Sequence, residues 1–79
     1  MRVQLPAIWD KAFIGKRHPI PILYSVYSDI DIAREALKAI YNNFNNTYND
    51  LDGDYFGYYD DEGHFHECYI DYVEYNKLD

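Results

Sequence analysis

His64, His66 and Cys68 stand at alternate positions near the C-terminal end of the sequence, and imidazole and thiolate are the side chains that hold zinc best. On a strand the three would point to one face, about 6.7 Å apart in order. Three ligands along one straight strand do not converge on a tetrahedral ion without a strong bend, and paired-cysteine spacing is absent. The spacing therefore argues for ordinary surface or half-buried side chains. Asp50, Asp52, Gly53 and Asp54 suggest a calcium loop. With Gly53 at the sixth position of an EF-hand loop, Tyr48 and Tyr59 fall where carboxylates are required; with Gly57 there, Phe56 and Gly63 fall at ligand positions. Both registers fail, so no metal or other cofactor is expected.

Catalytic patterns are equally hard to assemble. There is no Gly-rich phosphate loop and no nucleophile elbow, and only three histidines could serve an acid/base pair. Carboxylates are so numerous that a pair of them identifies nothing. The expected activity is binding, without catalysis.

Charge supplies the functional clue. From Ala39 to Asn76 there is no Lys or Arg, but there are nine carboxylates and eight of the ten tyrosines. Residues 1–20 carry Arg2, Lys11, Lys16 and Arg17 against Asp10 alone, whereas the remainder holds three basic and thirteen acidic residues, a balance of −10. Such a surface repels nucleic acid and attracts basic protein. Tyrosines between carboxylates add flat amphipathic area that stacks on Arg. The partner-binding residues expected are Asp50, Asp52, Asp54, Tyr55, Tyr58, Tyr59, Asp60, Asp61, Glu62, Glu67, Asp71 and Glu74.

These residues need a scaffold. Seventy-nine residues with an apolar fraction of 48 % predict one folded domain. Residues 1–19 read as a basic N-terminal arm, with a short strand at Val3–Leu5 stopped by Pro6 and a segment from Ala7 to Phe13 whose spacing also fits a short helix. Residues 20–27 read as a strand with two packing faces, as in the centre of a small sheet.

A helix is predicted over 29–47, capped by Ser28, with Asp29 and Asp31 at the positive end of its dipole. Its apolar stripe is Ile30, Ala33, Leu37, Ile40, Tyr41 and Phe44. Its Asn-rich end is weak and should stop between Asn45 and Asn49. Residues 54–75 read as an acidic, Tyr-rich hairpin turning at Asp60–Gly63, with the tip carboxylates exposed. In its last strand Phe65, Glu67, Tyr69, Asp71, Val73 and Tyr75 share one face and His64, His66, Cys68, Ile70, Tyr72 and Glu74 the other, and neither face is cleanly apolar. The order of elements predicts an α+β fold: a small antiparallel sheet of three to four strands with one amphipathic helix on one face.

In size, sign of charge and lack of catalytic motif the chain resembles phage-encoded nucleic-acid mimics that inhibit restriction or CRISPR enzymes, a likeness of composition and not of any aligned stretch. It implies a viral inhibitor in the host cytoplasm whose partner is a basic nucleic-acid-binding protein or nuclease complex. A lone cysteine and the absence of any long apolar run agree with a cytoplasmic protein that engages no membrane. Direct nucleic-acid binding is not expected, because four clustered basic residues do not offset −10 elsewhere. The rival expectation is a small self-associating structural or regulatory subunit, a possible homodimer, whose basic arm docks on a neighbour's acidic face.

Overall fold

The computed structural model describes residues 2–45 and 47–76. Two twelve-residue strands, β1 (Arg2–Phe13) and β4 (Phe65–Asn76), pair antiparallel along their whole length, from Arg2 opposite Asn76 to Phe13 opposite Phe65. β2 (Pro21–Val26) flanks β1 and β3 (Tyr55–Tyr59) flanks β4, so the four-stranded antiparallel sheet runs β2-β1-β4-β3. Helix α1 (Ile30–Asn42) packs on one face. This is the α+β architecture the pattern predicts.

Residues directly opposite in a sheet share a face, so the register separates two sets of side chains. Ile8, Asp10, His66, Cys68, Ile70, Phe56 and Tyr58 lie on the helix side, where Ile8, Phe56, Tyr58, Cys68 and Leu37 form the buried core. Trp9, Lys11, Phe65, Glu67, Tyr69, Tyr55 and Tyr59 lie on the opposite face, which no other element covers among the described residues. The register thus selects the His66–Cys68–Ile70 face of β4 as the buried one.

Four expectations change. Residues 2–13 are neither a basic arm nor a strand followed by a helix: they are one central strand running straight through Pro6. Proline is tolerated because the N–H and C=O of a strand residue point to the same neighbour. The Pro6 carbonyl accepts from the Tyr27 N–H at 2.9 Å, so the donor it lacks would face the side where β2 has already ended at Val26. Pairing with β4 overrides the short helical spacing of Ala7–Phe13. Two of the arm's basic residues are held within the sheet, Arg2 by Glu74 at 3.4 Å and Lys11 by Glu67 at 4.0 Å.

β2 is an edge strand, not a central one, and most of its side chains are exposed. Asp29, not Ser28, caps α1: its backbone is extended and its carboxylate accepts from the Ile32 N–H at 3.0 Å, while its charge meets the positive end of the dipole. The helix stops at Asn42 with Asn43 as its C-cap, earlier than the Asn45–Asn49 boundary, because the poor helix formers of the Asn run fail at its first members. The phase of the stripe holds. Ala33 and Leu37 are buried, and Ile40, Tyr41 and Phe44 pack on the core, Phe44 from just beyond the helix.

Candidate functional site

The β3–β4 turn is built by one carboxylate. Asp60 Oδ1 accepts from the backbone N–H groups of Glu62 and His64, both at 2.9 Å, and Gly63 takes φ +82, a conformation that glycine reaches without steric cost. The other oxygen, Oδ2, accepts from His66 Nε2 at 2.7 Å. His66 Nδ1 meets Asp10 Oδ1 at 2.8 Å, and the Tyr58 hydroxyl donates to Asp10 Oδ2. An ionised carboxylate only accepts, so a His66 ring that bonds to two of them donates from both nitrogens as an imidazolium.

The titration of these groups follows from that arrangement. Burial favours neutral His66, but the hydrogen bonds and charges of Asp10 and Asp60 outweigh it and raise the pKa above the ordinary histidine value. Asp60 is held down to about 2, first by His66 and then by the backbone N–H of His64. Burial, and then the bond to Asp10, pushes the Tyr58 phenol up. One face of the ring is also covered by an aromatic stack. Tyr58 stacks on His66 with centroids 4.7 Å apart, and Phe44 stacks on Tyr58 at 4.1 Å. With both nitrogens donating, His66 offers no lone pair to a substrate or a metal. The cluster ties β1, β3, β4 and the turn together and holds the hairpin tip in place.

The outer edge of β3 is covered. Residues 47–49 run along it: Thr47 bridges Tyr58, the Tyr48 N–H donates to the Gly57 carbonyl at 2.7 Å, and the Gly57 N–H donates to Asn49 Oδ1 at 2.8 Å. Gly57 is required by close approach, since a Cβ there would lie 2.8 Å from Phe65 Cε1 and Cζ. At the start of the strand, Asp52 and Tyr55 exchange backbone hydrogen bonds of 3.0 and 3.2 Å. Exposed Tyr48 sits mid-edge opposite Gly57 and exposed Tyr59 ends the strand, the two rings edge to face at 6.2 Å. Asp50 and Asp52 are exposed at one end of the edge, Asp61 and Glu62 at the other. Five strand residues at about 3.4 Å each set the two carboxylate pairs roughly 17 Å apart. Behind the Tyr59 end, a cleft of about 400 Å³ opens between Asn43, Phe44, Tyr58 and Asp61.

The expected partner-binding residues therefore divide. Asp50, Asp52, Tyr59, Asp61 and Glu62 lie along this edge. Tyr58 is 6 % exposed and committed to Asp10, and Asp60 is engaged by the turn and His66. Asp54 pairs with Arg34 at 2.8 Å across to the helix. Tyr55 donates to Glu67 at 2.6 Å on the uncovered face, a bond that first and foremost lifts the phenol to about 12. Asp71 is exposed on that same face, and Glu74 faces Arg2 on the helix side.

His64 lies in the turn, off the strand that carries His66 and Cys68, and the Cys68 thiol is buried in the core, where burial and then the charge of Asp10 push its pKa to about 12. Among the described residues no three His, Cys, Asp or Glu side chains group as metal ligands. Asp10 is the residue that sequence reasoning missed. Its signal was faint: it is the lone carboxylate in the basic first 20 residues, and its partner lies 56 positions away. Comparison with protein families, with curated proteins and with solved structures found no match to this chain.

Proposed function

We propose that this chain is a non-enzymatic binding protein whose acidic, tyrosine-bearing β3 edge occupies a basic nucleic-acid-binding surface of another protein. The observation that carries the reading is the arrangement of that edge: two exposed carboxylates at each end, exposed Tyr48 and Tyr59 between them, and no Lys or Arg anywhere from Ala39 to Asn76. The covering segment 47–49 blocks strand addition there, so side chains, not backbone, present themselves to a partner. Carboxylates suit Lys and Arg, and the tyrosine rings suit guanidinium planes. The hydrogen-bonded turn presents the tip carboxylates in a fixed position, which lowers the entropy lost on binding. In character this is the behaviour of a nucleic-acid mimic, and an inhibitor of a nuclease complex of the anti-CRISPR or anti-restriction kind is the class of activity it suits best.

The test is affinity capture from host lysate followed by challenge of the bound fraction with duplex DNA. Release of a nucleic-acid-binding enzyme by DNA, and by rising salt, supports the reading, because exposed charges are screened over about 8 to 10 Å at physiological ionic strength. Retention that ignores both DNA and salt contradicts it.

A further inference from the structure

The two edges of the sheet are finished differently. The β3 edge is covered by residues 47–49, whereas the outer side of β2 has no neighbour among the described residues. Natural edges are guarded by charge, by proline or by bulges. β2 has Pro21 at its first position and a register shift opposite Ile8 and Trp9, but from Pro19 to Ser28 it carries no charge at all. Ile22 is 67 % exposed and Tyr24 63 %, with Leu23 and Val26 also exposed. We propose that β2 pairs antiparallel with β2 of a second copy of this chain, extending the sheet to eight strands across a two-fold axis.

Three features select a second copy over a foreign strand. The ends of β2 carry opposite charge: Lys16 and Arg17 precede it, and Asp29 and Asp31 follow it. Lys16 and Arg17 make no ion pair among the described residues. In an antiparallel pair the basic end of one copy lies beside the acidic end of the other at both ends of the interface, whereas a parallel pair would set like charges together. The chain carries a net charge of −7, and the uncharged run is where two such molecules meet with least repulsion. Finally, among the described residues only one edge of each copy is open, so the assembly closes at two and does not grow into a filament. At the basic end, an apolar hollow of about 170 Å³ between Ala12, Ile14, Ile20 and Ile22 lies where the partner's Val26 end arrives.

The pairing is independent of the proposed target but has a consequence for it. The two β3 edges become the outer strands of the eight, seven spacings of about 4.8 Å or roughly 34 Å apart, so the dimer presents two acidic edges to a target.

Sedimentation velocity over a wide concentration range, with amide hydrogen exchange at both extremes, tests the pairing. The expected result is a species of twice 9.5 kDa whose residues 21–26 exchange more slowly as it forms. Tyr24→Lys sets like charges across the axis and should raise the dimer Kd about tenfold or more with an unchanged circular dichroism spectrum. Lys16→Glu with Arg17→Glu should weaken the dimer too, and adding Asp31→Lys should restore it. These loop and first-turn changes lie outside the sheet and decide the matter if Tyr24→Lys disturbs folding. A monomer at every concentration, a dimer indifferent to all these changes, or protection of 21–26 only by a foreign protein overturns the proposal.

Discussion

Gly57→Ala perturbs the edge on which the proposed function rests. The added methyl would stand 2.8 Å from Phe65 Cε1 and Cζ, against about 3.5 to 4.0 Å for a comfortable carbon–carbon contact. The ring cannot simply swing aside, because Phe13, Tyr48 and Tyr59 surround it with centroids at 5.7, 5.5 and 5.4 Å. On the other side, Asn49 Oδ1 would be 3.2 Å away, and it is the acceptor for the Gly57 N–H. Overpacking of this kind costs about 1 to 3 kcal/mol. Against that, alanine limits the unfolded chain and returns roughly 0.4 to 1 kcal/mol where the backbone accepts it. At the middle of each range the steric effect wins, with a net loss of about 1.3 kcal/mol. At roughly 4 to 8 °C per kcal/mol for a domain of this size, the melting temperature should fall by about 5 to 10 °C. Urea unfolding followed by far-ultraviolet circular dichroism measures the loss, and near-ultraviolet circular dichroism reports whether the tyrosines have moved. A variant as stable as the parent would refute the close packing of Phe65 on β3 and the rigid edge built from it.

Leu37→Ala, in the fully buried stripe of α1, should cost about 2 to 5 kcal/mol, whereas Lys38→Ala on the solvent side should stay within about 0.5 kcal/mol; equal losses in denaturant unfolding would show the helix phase to be wrong. The stabilisation from His66, whose pKa the fold raises, is fully present below the ordinary histidine value of 6.5 and is lost as pH rises through the higher folded value. Thermal melts should therefore weaken across that window in the parent but not in His66→Gln, and identical pH profiles would remove the imidazolium from the account. Cys68 acts further up the scale: its contribution is present below pH 9.0 and lost as pH rises towards about 12, so Cys68→Ala should lessen the alkaline decline and leave the neutral one.

Local patterns were legible in the sequence. The three- and four-residue spacing of Ala33, Leu37, Ile40 and Tyr41 located the helix and its buried face, and Asp60–Gly63 marked the turn. Features decided by distant partners were not. Pro6 reads as a strand stop until the end of β2 is placed beside it, and the alternation in Pro21–Val26 fits a central strand as well as an edge. The buried face of β4 follows from its register with β1, which sets Asp10 against His66, a contact between residues 10 and 66 that no local spacing announces. Asp60 shows the same difficulty: as a turn residue it reads as a free surface charge, yet two backbone donors and His66 engage it.

The β3 edge is tested most directly by reversing its exposed carboxylates, of which Asp50 accepts from the Tyr41 hydroxyl at 3.3 Å and Glu62 lies 3.5 Å from His64 Nδ1. Asp50, Asp52, Asp61 and Glu62 should be replaced together by Lys, with Asp54 and Asp60 left in place because they hold Arg34 and the turn. Binding of the captured nucleic-acid enzyme should then be measured at low salt in competition with its DNA or RNA. The account predicts an unchanged circular dichroism spectrum, loss of binding to the enzyme and no competition with the nucleic acid. A folded variant that binds and competes as well as the parent would contradict it and move recognition to the uncovered face of the sheet around Trp9 and Tyr69.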